Sequence, residues 1–99
     1  MALDIYWTRR ADTKFDNILD YLLENWGERA TKDFVQKVYA VLEVLSVYPE
    51  MGPLQHVERN IRGFVIVKQV TLFYKVQDDT LILLNFFGNF RHPKRKFSE

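Results

Sequence analysis

Cysteine is absent from the 99-residue sequence, which excludes disulfides and thiolate-held metals. Histidine is scarce: His56 and His92 stand far apart, with no clustered carboxylate pattern around either, so neither a zinc nor an iron site is expected. No cofactor is expected on the same grounds. The four glycines form no phosphate-cradling loop. Ser46 and Ser98 are the only serines, and neither sits in a nucleophile elbow, which excludes covalent serine catalysis. Long apolar runs are missing too, as is an N-terminal apolar segment of the export type. Neither a membrane span nor secretion is therefore expected, and the expected location is cytoplasmic. Repeats and low-complexity stretches are lacking, and the three prolines, Pro49, Pro53 and Pro93, punctuate elements instead of marking a linker.

Apolar and aromatic side chains are plentiful, at 47% and 15% of the chain. A chain of this length buries one core, so residues 1–99 are expected to form a single domain. Charge is divided unevenly. Residues 1–57 hold 6 Lys and Arg against 9 Asp and Glu, while residues 58–99 hold 8 against 4, a polarity hidden by the overall +1. Such asymmetry points to an anionic partner for the basic half.

Leu3 to Trp7 is rich in β-formers and reads as a short strand, followed by Thr8 as a helix cap. From Ala11, the residues Phe15, Ile18, Leu19, Leu22 and Trp26 recur at helical spacing, and Gly27 ends that helix as a left-handed cap. A second stripe, Ala30, Phe34, Val38, Val41, Leu42 and Leu45, predicts a second helix stopping near Tyr48, because Pro49 disfavours a helical predecessor. So short a connection implies an antiparallel helical hairpin. Residues 49–60 read as a loop. Three strands follow, over 61–68, 70–76 and 81–87, the first two joined by a tight turn and the last two by Gln77 to Thr80. Because Leu81 to Phe87 does not alternate, burial on both faces near the sheet centre is expected for that strand. The order β-α-α-β-β-β defines an α+β fold: an antiparallel sheet of about four strands, the first at its edge, with a helical hairpin packed on one face.

In this order and spacing the residues resemble the RelE/ParE superfamily of bacterial type II toxins. The carrying positions are Trp7-Thr8, Ala11, Ile18, Tyr21, Trp26-Gly27, Ala30 and Phe34, then Leu45, Pro49, Gly52, Ile61-Arg62, Phe73-Tyr74 and Arg91-His92-Pro93. The resemblance implies a small toxin held inactive by a cognate antitoxin whose acidic or amphipathic tail wraps over it. Its RelE-like branch cuts messenger RNA on the ribosome, with lysines at alternating positions of the second strand and an arginine early in the third. Aligned on Phe64 and Tyr74, those places hold Val65, Val67 and Thr71 here. Three uncharged side chains cannot supply a base, an acid or a phosphate-stabilising cation. The long hairpin from Thr8 to Val47 is also more similar to the ParE-like branch, whose founding activity is inhibition of DNA gyrase. A binding role comes first, with a metal-independent endoribonuclease acting through Arg62, Arg91 and His92 as the alternative, and a degenerate, non-toxic member as a third reading.

Candidate target-binding residues are Arg62, Tyr74, Arg91, His92, Lys94 and Arg95. The basic run from Arg91 to Lys96 suits an anionic surface, though a solvated terminus has the same composition. Arg62 is expected on the open sheet face toward Tyr74 and Arg91, or else paired with a helix carboxylate such as Asp20 or Glu24. Tyr74 alternates with Leu72 and Val76, which also fits a core residue. His56 lies in the loop without a companion and is assigned no function. Asp12, Asp16 and Asp20 recur every four residues, as a solvated acidic face does.

Overall fold

The computed structural model describes residues 2–90. The elements run β1 (Asp4–Trp7), α1 (Arg9–Val47), a single 3-10 turn (Pro49–Met51), β2 (Leu54–His56), β3 (Ile61–Val67), β4 (Val70–Gln77) and β5 (Thr80–Gly88). Helix α1 is bent back on itself. In a straight helix Phe15 and Phe34 would lie roughly 28 Å apart at 1.5 Å per residue, yet their ring centroids are 6.1 Å apart. The reversal occurs at Gly27, whose φ of 92° and ψ of 177° belong to a region that only glycine visits freely. The sequence thus yields the hairpin expected of it, hinged at the expected residue.

Both arms turn their apolar stripes to the sheet. Ala11, Phe15, Ile18 and Leu22 from the first arm and Phe34, Val38, Val41, Leu42 and Leu45 from the second are buried. They meet Ile66, Val70, Leu72, Tyr74, Leu81, Leu83 and Phe86 from the strands. Trp7 sits between Phe15 and Phe86 at 5.1 and 5.5 Å, an aromatic cluster in which each pair contributes about 0.5–1.5 kcal/mol beyond its buried area. Trp26 departs from its stripe and is exposed, because it lies next to Gly27 at the tip of the hairpin. Asp12, Asp16 and Asp20 are exposed, as the acidic periodicity implied.

The sheet has the order β1-β5-β4-β3-β2. The α+β class and the placement of β1 at an edge are as expected, and two details extend the expectation. Residues 54–56 of the anticipated loop form a fifth strand, paired antiparallel with β3. Strand β1 pairs with β5 in parallel, from Asp4 opposite Thr80 to Trp7 opposite Leu83, so the sheet is mixed. The remaining pairs are antiparallel, with two-residue turns at Lys68-Gln69 and Asp78-Asp79. Asp78 takes the left-handed conformation, φ 57°, that such a turn needs and that aspartate tolerates.

A register shift in β5 sets what each face of the sheet presents. Phe73 lies opposite Asn85 while Tyr74 lies opposite Leu83, so Leu84 is an extra residue, a bulge. Strict alternation from Leu81 and Leu83 would send Asn85 into the core. The bulge sends Phe86 there instead, and leaves Leu84 and Asn85 on the side away from the helices. Thr8 holds the bulge in place: its hydroxyl donates to the Leu83 carbonyl at 2.7 Å and accepts from the Ala11 amide at 3.1 Å, capping α1 at the same time. The uneven sequence of β5 therefore reflects the bulge, and no second layer covers its outer face among the described residues. No helix there is long and apolar enough to cross a membrane.

Candidate functional site

On the helix-bearing side, Arg62 and Tyr74 stand opposite each other on β3 and β4 and together hold the segment between α1 and β2. The Tyr74 hydroxyl donates to the Pro49 carbonyl at 2.6 Å and accepts from the Gly52 amide at 3.0 Å. Arg62 donates from one guanidinium nitrogen to the carbonyls of Gly52 at 2.8 Å and Glu50 at 3.3 Å. Gly52 is required by this proximity, since a Cβ there would lie 2.5 Å from the Tyr74 oxygen and 2.8 Å from the Gly63 carbonyl. Burial raises the pKa of Tyr74 above its ordinary 10.0, with the Gly52 hydrogen bond and the Arg62 charge pulling the other way.

These contacts correct the sequence expectation for Arg62. It does not project from the open face. Its register with buried Tyr74 turns it to the helix side, and its hydrogen bonds there go to main-chain carbonyls instead of Asp20 or Glu24. Tyr74 is fully buried and reaches a partner only through the segment it holds. Arg91, His92, Lys94 and Arg95, along with Pro93, lie outside the described residues.

The opposite face of the sheet is open and concave, with a depression of about 600 Å³. Ile61, Phe73 and Leu84 make it apolar, and Arg10, Gln55, His56 and Asn85 supply its polar groups. The elements explain the convergence. Arg10 comes from the first turn of α1, placed by the Thr8 cap; Gln55 and His56 come from β2, placed by the Arg62–Tyr74 latch; Asn85 comes from the bulged strand. Gly63 leaves room for both Gln55 and Phe73, whose atoms lie 3.0 and 3.2 Å from where its Cβ would be. His56 Nδ1 accepts from the Arg59 amide at 3.3 Å, so the neutral ring carries its proton on Nε2 as a donor. Asn85 Oδ1 is buried with no hydrogen-bond partner among the described residues.

Beside this depression runs a row without charge. Val65, Thr71 and Phe87 lie opposite one another across β3, β4 and β5, with Val65 and Phe87 largely exposed. Val67 is not part of the row, because the irregularity between Val65 and Val67 turns it against the core. No group of three or more metal-ligating side chains occurs among the described residues. The sequence passed over Arg10, Gln55 and Asn85, and assigned His56 no function. Only Asn85 carried a signal, as the one polar residue within the apolar run from Leu81 to Phe87.

Residues 5–87 match the family described as the ParE toxin of the type II toxin-antitoxin system, parDE. No curated protein matches the chain. Among solved structures, a chain of the chromosomal ParDE system from P. aeruginosa superposes with a TM-score of 0.73 at 17% identity, covering 88% of this chain and 96% of that one. A YoeB/ParE toxin from Agrobacterium tumefaciens gives 0.65 at 13% identity over 89% and 100% of the two chains. A copper-bound mutant toxin from Helicobacter pylori gives 0.54 at 22% identity over 88% and 94%. At these identities the structures speak for the fold, and the family match speaks for descent: the chain belongs to the ParE toxin family of type II toxin–antitoxin systems.

Proposed function

We propose that this chain acts by binding and inhibiting DNA gyrase, without cutting RNA, and is neutralised by its cognate antitoxin. The observation that carries the reading is the uncharged row Val65–Thr71–Phe87. Cleavage through a 2′-hydroxyl needs a base, an acid and cations on the phosphate. Two of the positions where the nuclease branch is cationic, Val65 and Thr71, face each other on the open side of the sheet with methyl groups and one hydroxyl. The third, Val67, packs against the core. Arg62, a member of the alternative nuclease set, is committed to main-chain carbonyls.

The antitoxin reading draws on the opposite region. Strand β1 is a sheet edge, and between it and the second arm of α1 runs a groove of about 700 Å³ bordered by Leu3, Ile5, Val35 and Tyr39. Ile5 and Tyr39 are both exposed. An antitoxin segment that adds a strand to β1 would cover them and stabilise the toxin by mass action. The test is a supercoiling assay with purified gyrase, followed by induction in cells. Inhibition that antitoxin reverses, with replication arrest and intact messages, is expected. Ribosome-bound messages cut to 2′,3′-cyclic phosphate ends within minutes, with DNA synthesis unaffected, would overturn the reading in favour of a ribosome-dependent endoribonuclease. No growth effect at all would mark a member that binds antitoxin but is not toxic.

A further inference from the structure

We propose that Tyr21 and Phe90 are positioning residues for the target contact: their stacked rings fix where the chain leaves the sheet, and so where its basic end meets gyrase. This rests on the reading of gyrase as the target and adds to it the device that aims the charge.

The exit is held at successive points. After β5 the Asn89 amide donates to the Gln69 carbonyl at 2.7 Å, which ties the chain to the turn between β3 and β4. Phe87 is still exposed on the open face, yet Phe90, three residues later, packs against the core on the helix side. There its ring stacks on Tyr21 of the first arm, with centroids 4.8 Å apart and planes at 29°. Phe90 also borders a depression of about 400 Å³ with Leu22 and Phe34 from the two arms and Val67 from β3. A ring held by an aromatic partner and by both layers has little freedom to redirect the chain that follows it.

Two observations separate this stack from ordinary core packing. The Tyr21 hydroxyl is buried and has no hydrogen-bond partner among the described residues. A ring that served only to fill space would do better as phenylalanine, because an unpaired buried donor opposes folding. Lying against Phe90, the hydroxyl is placed to donate to a main-chain carbonyl of the residues that come next. The other observation is where the charge changes sign. Residues 1–90 hold 10 Lys and Arg against 12 Asp and Glu, and residues 91–99 hold 4 against 1, so the basic excess starts one residue after the stack. A charged segment that begins from a fixed point loses less freedom on meeting its target than one that begins from a loose end.

The experiment measures gyrase inhibition for four full-length proteins. They are the unaltered chain, Phe90→Ala, a neutralised variant carrying Arg91→Gln, Lys94→Gln, Arg95→Gln and Lys96→Gln, and the combination of all five changes. Phe90→Ala is expected to weaken inhibition about tenfold in the native background and by less than about twofold in the neutralised one, since a positioning residue acts only through what it positions. An equal loss in both backgrounds marks a merely structural ring and would overturn the proposal, as would no loss in either. Limited trypsin digestion reads the anchor without gyrase. Relative to cutting after Lys96, cutting after Arg91 should speed up about tenfold in Phe90→Ala and about threefold in Tyr21→Phe, which keeps the ring and removes the hydroxyl. Cutting unchanged in both variants would overturn the anchor. Should the unaltered protein leave gyrase active while digestion behaves as expected, the target reading falls and the anchor stands.

Discussion

At the scale of single residues, the hydroxyl of Tyr74 is held from two sides. It satisfies a carbonyl and an amide that the tight segment around Gly52 could not otherwise pair. Tyr74→Phe keeps the ring in the core but strands both groups, and is expected to cost about 1–3 kcal/mol of stability, read by urea denaturation. Gly52→Ala should cost at least as much, because its methyl group would meet main-chain atoms at Gly63 as well as the Tyr74 oxygen. The sign of the pH effect follows from the raised pKa of Tyr74. The folded protein keeps a proton that the unfolded chain releases from pH 10.0 upward, so the contribution is complete below 10.0 and is lost as pH rises through the folded value. Melting temperature should fall on the alkaline side of 10.0, and Tyr74→Phe should flatten that part of the curve. The sequence singled out both Arg62 and Tyr74 without showing how they act. Which side of a strand a residue takes depends on parity, and parity here answers to neighbours no local pattern names.

Among elements, the helical hairpin and the bulged strand do most to shape the surface. Gly27 has open space around it, so the cost of a side chain there lies in the backbone alone. Gly27→Ala is expected to destabilise by about 1–3 kcal/mol, measured as a lowered melting temperature. Thr8→Val removes the cap of α1 and the hold on the bulge in one step, at an expected cost of about 0.5–2 kcal/mol. It should also disturb the amide resonances of Leu84 and Asn85, which a simple capping loss would leave alone. The hairpin was legible because Phe15, Ile18, Leu22, Phe34, Val38 and Leu45 follow the helical repeat and glycine marks the reversal. The exposure of Trp26 was not, since it depends on where the sheet ends. Strand β2 was hidden too: three residues, Leu54 to His56, are too few for a period and owe their pairing to the latch beneath them. The open-face depression was the least legible part, for its polar groups come from three distant segments and Asn85 reaches it only through an inserted residue.

Over the whole molecule, the charge polarity of the sequence resolves into something more local. Of the last 42 residues, those from 58 to 90 hold 4 basic against 3 acidic side chains, and those from 91 to 99 hold 4 against 1. The basic excess is thus almost all in the final nine. A chain ending at Phe90 would carry a net charge of −2 instead of +1. If the target surface is acidic, such a chain should lose about tenfold or more of its gyrase inhibition, and lose it most at low salt. The parallel pairing of β1 with β5 has a consequence in time. Asp4 precedes its partner Thr80 by 76 residues, so the first strand waits for the helical hairpin and three further strands to be made before it has a neighbour. A toxin assembled this way withholds its finished sheet from the cell until β5 has been made. During that wait the strand whose edge borders the β1 groove stays unpaired, open to an antitoxin already present before the toxin can act.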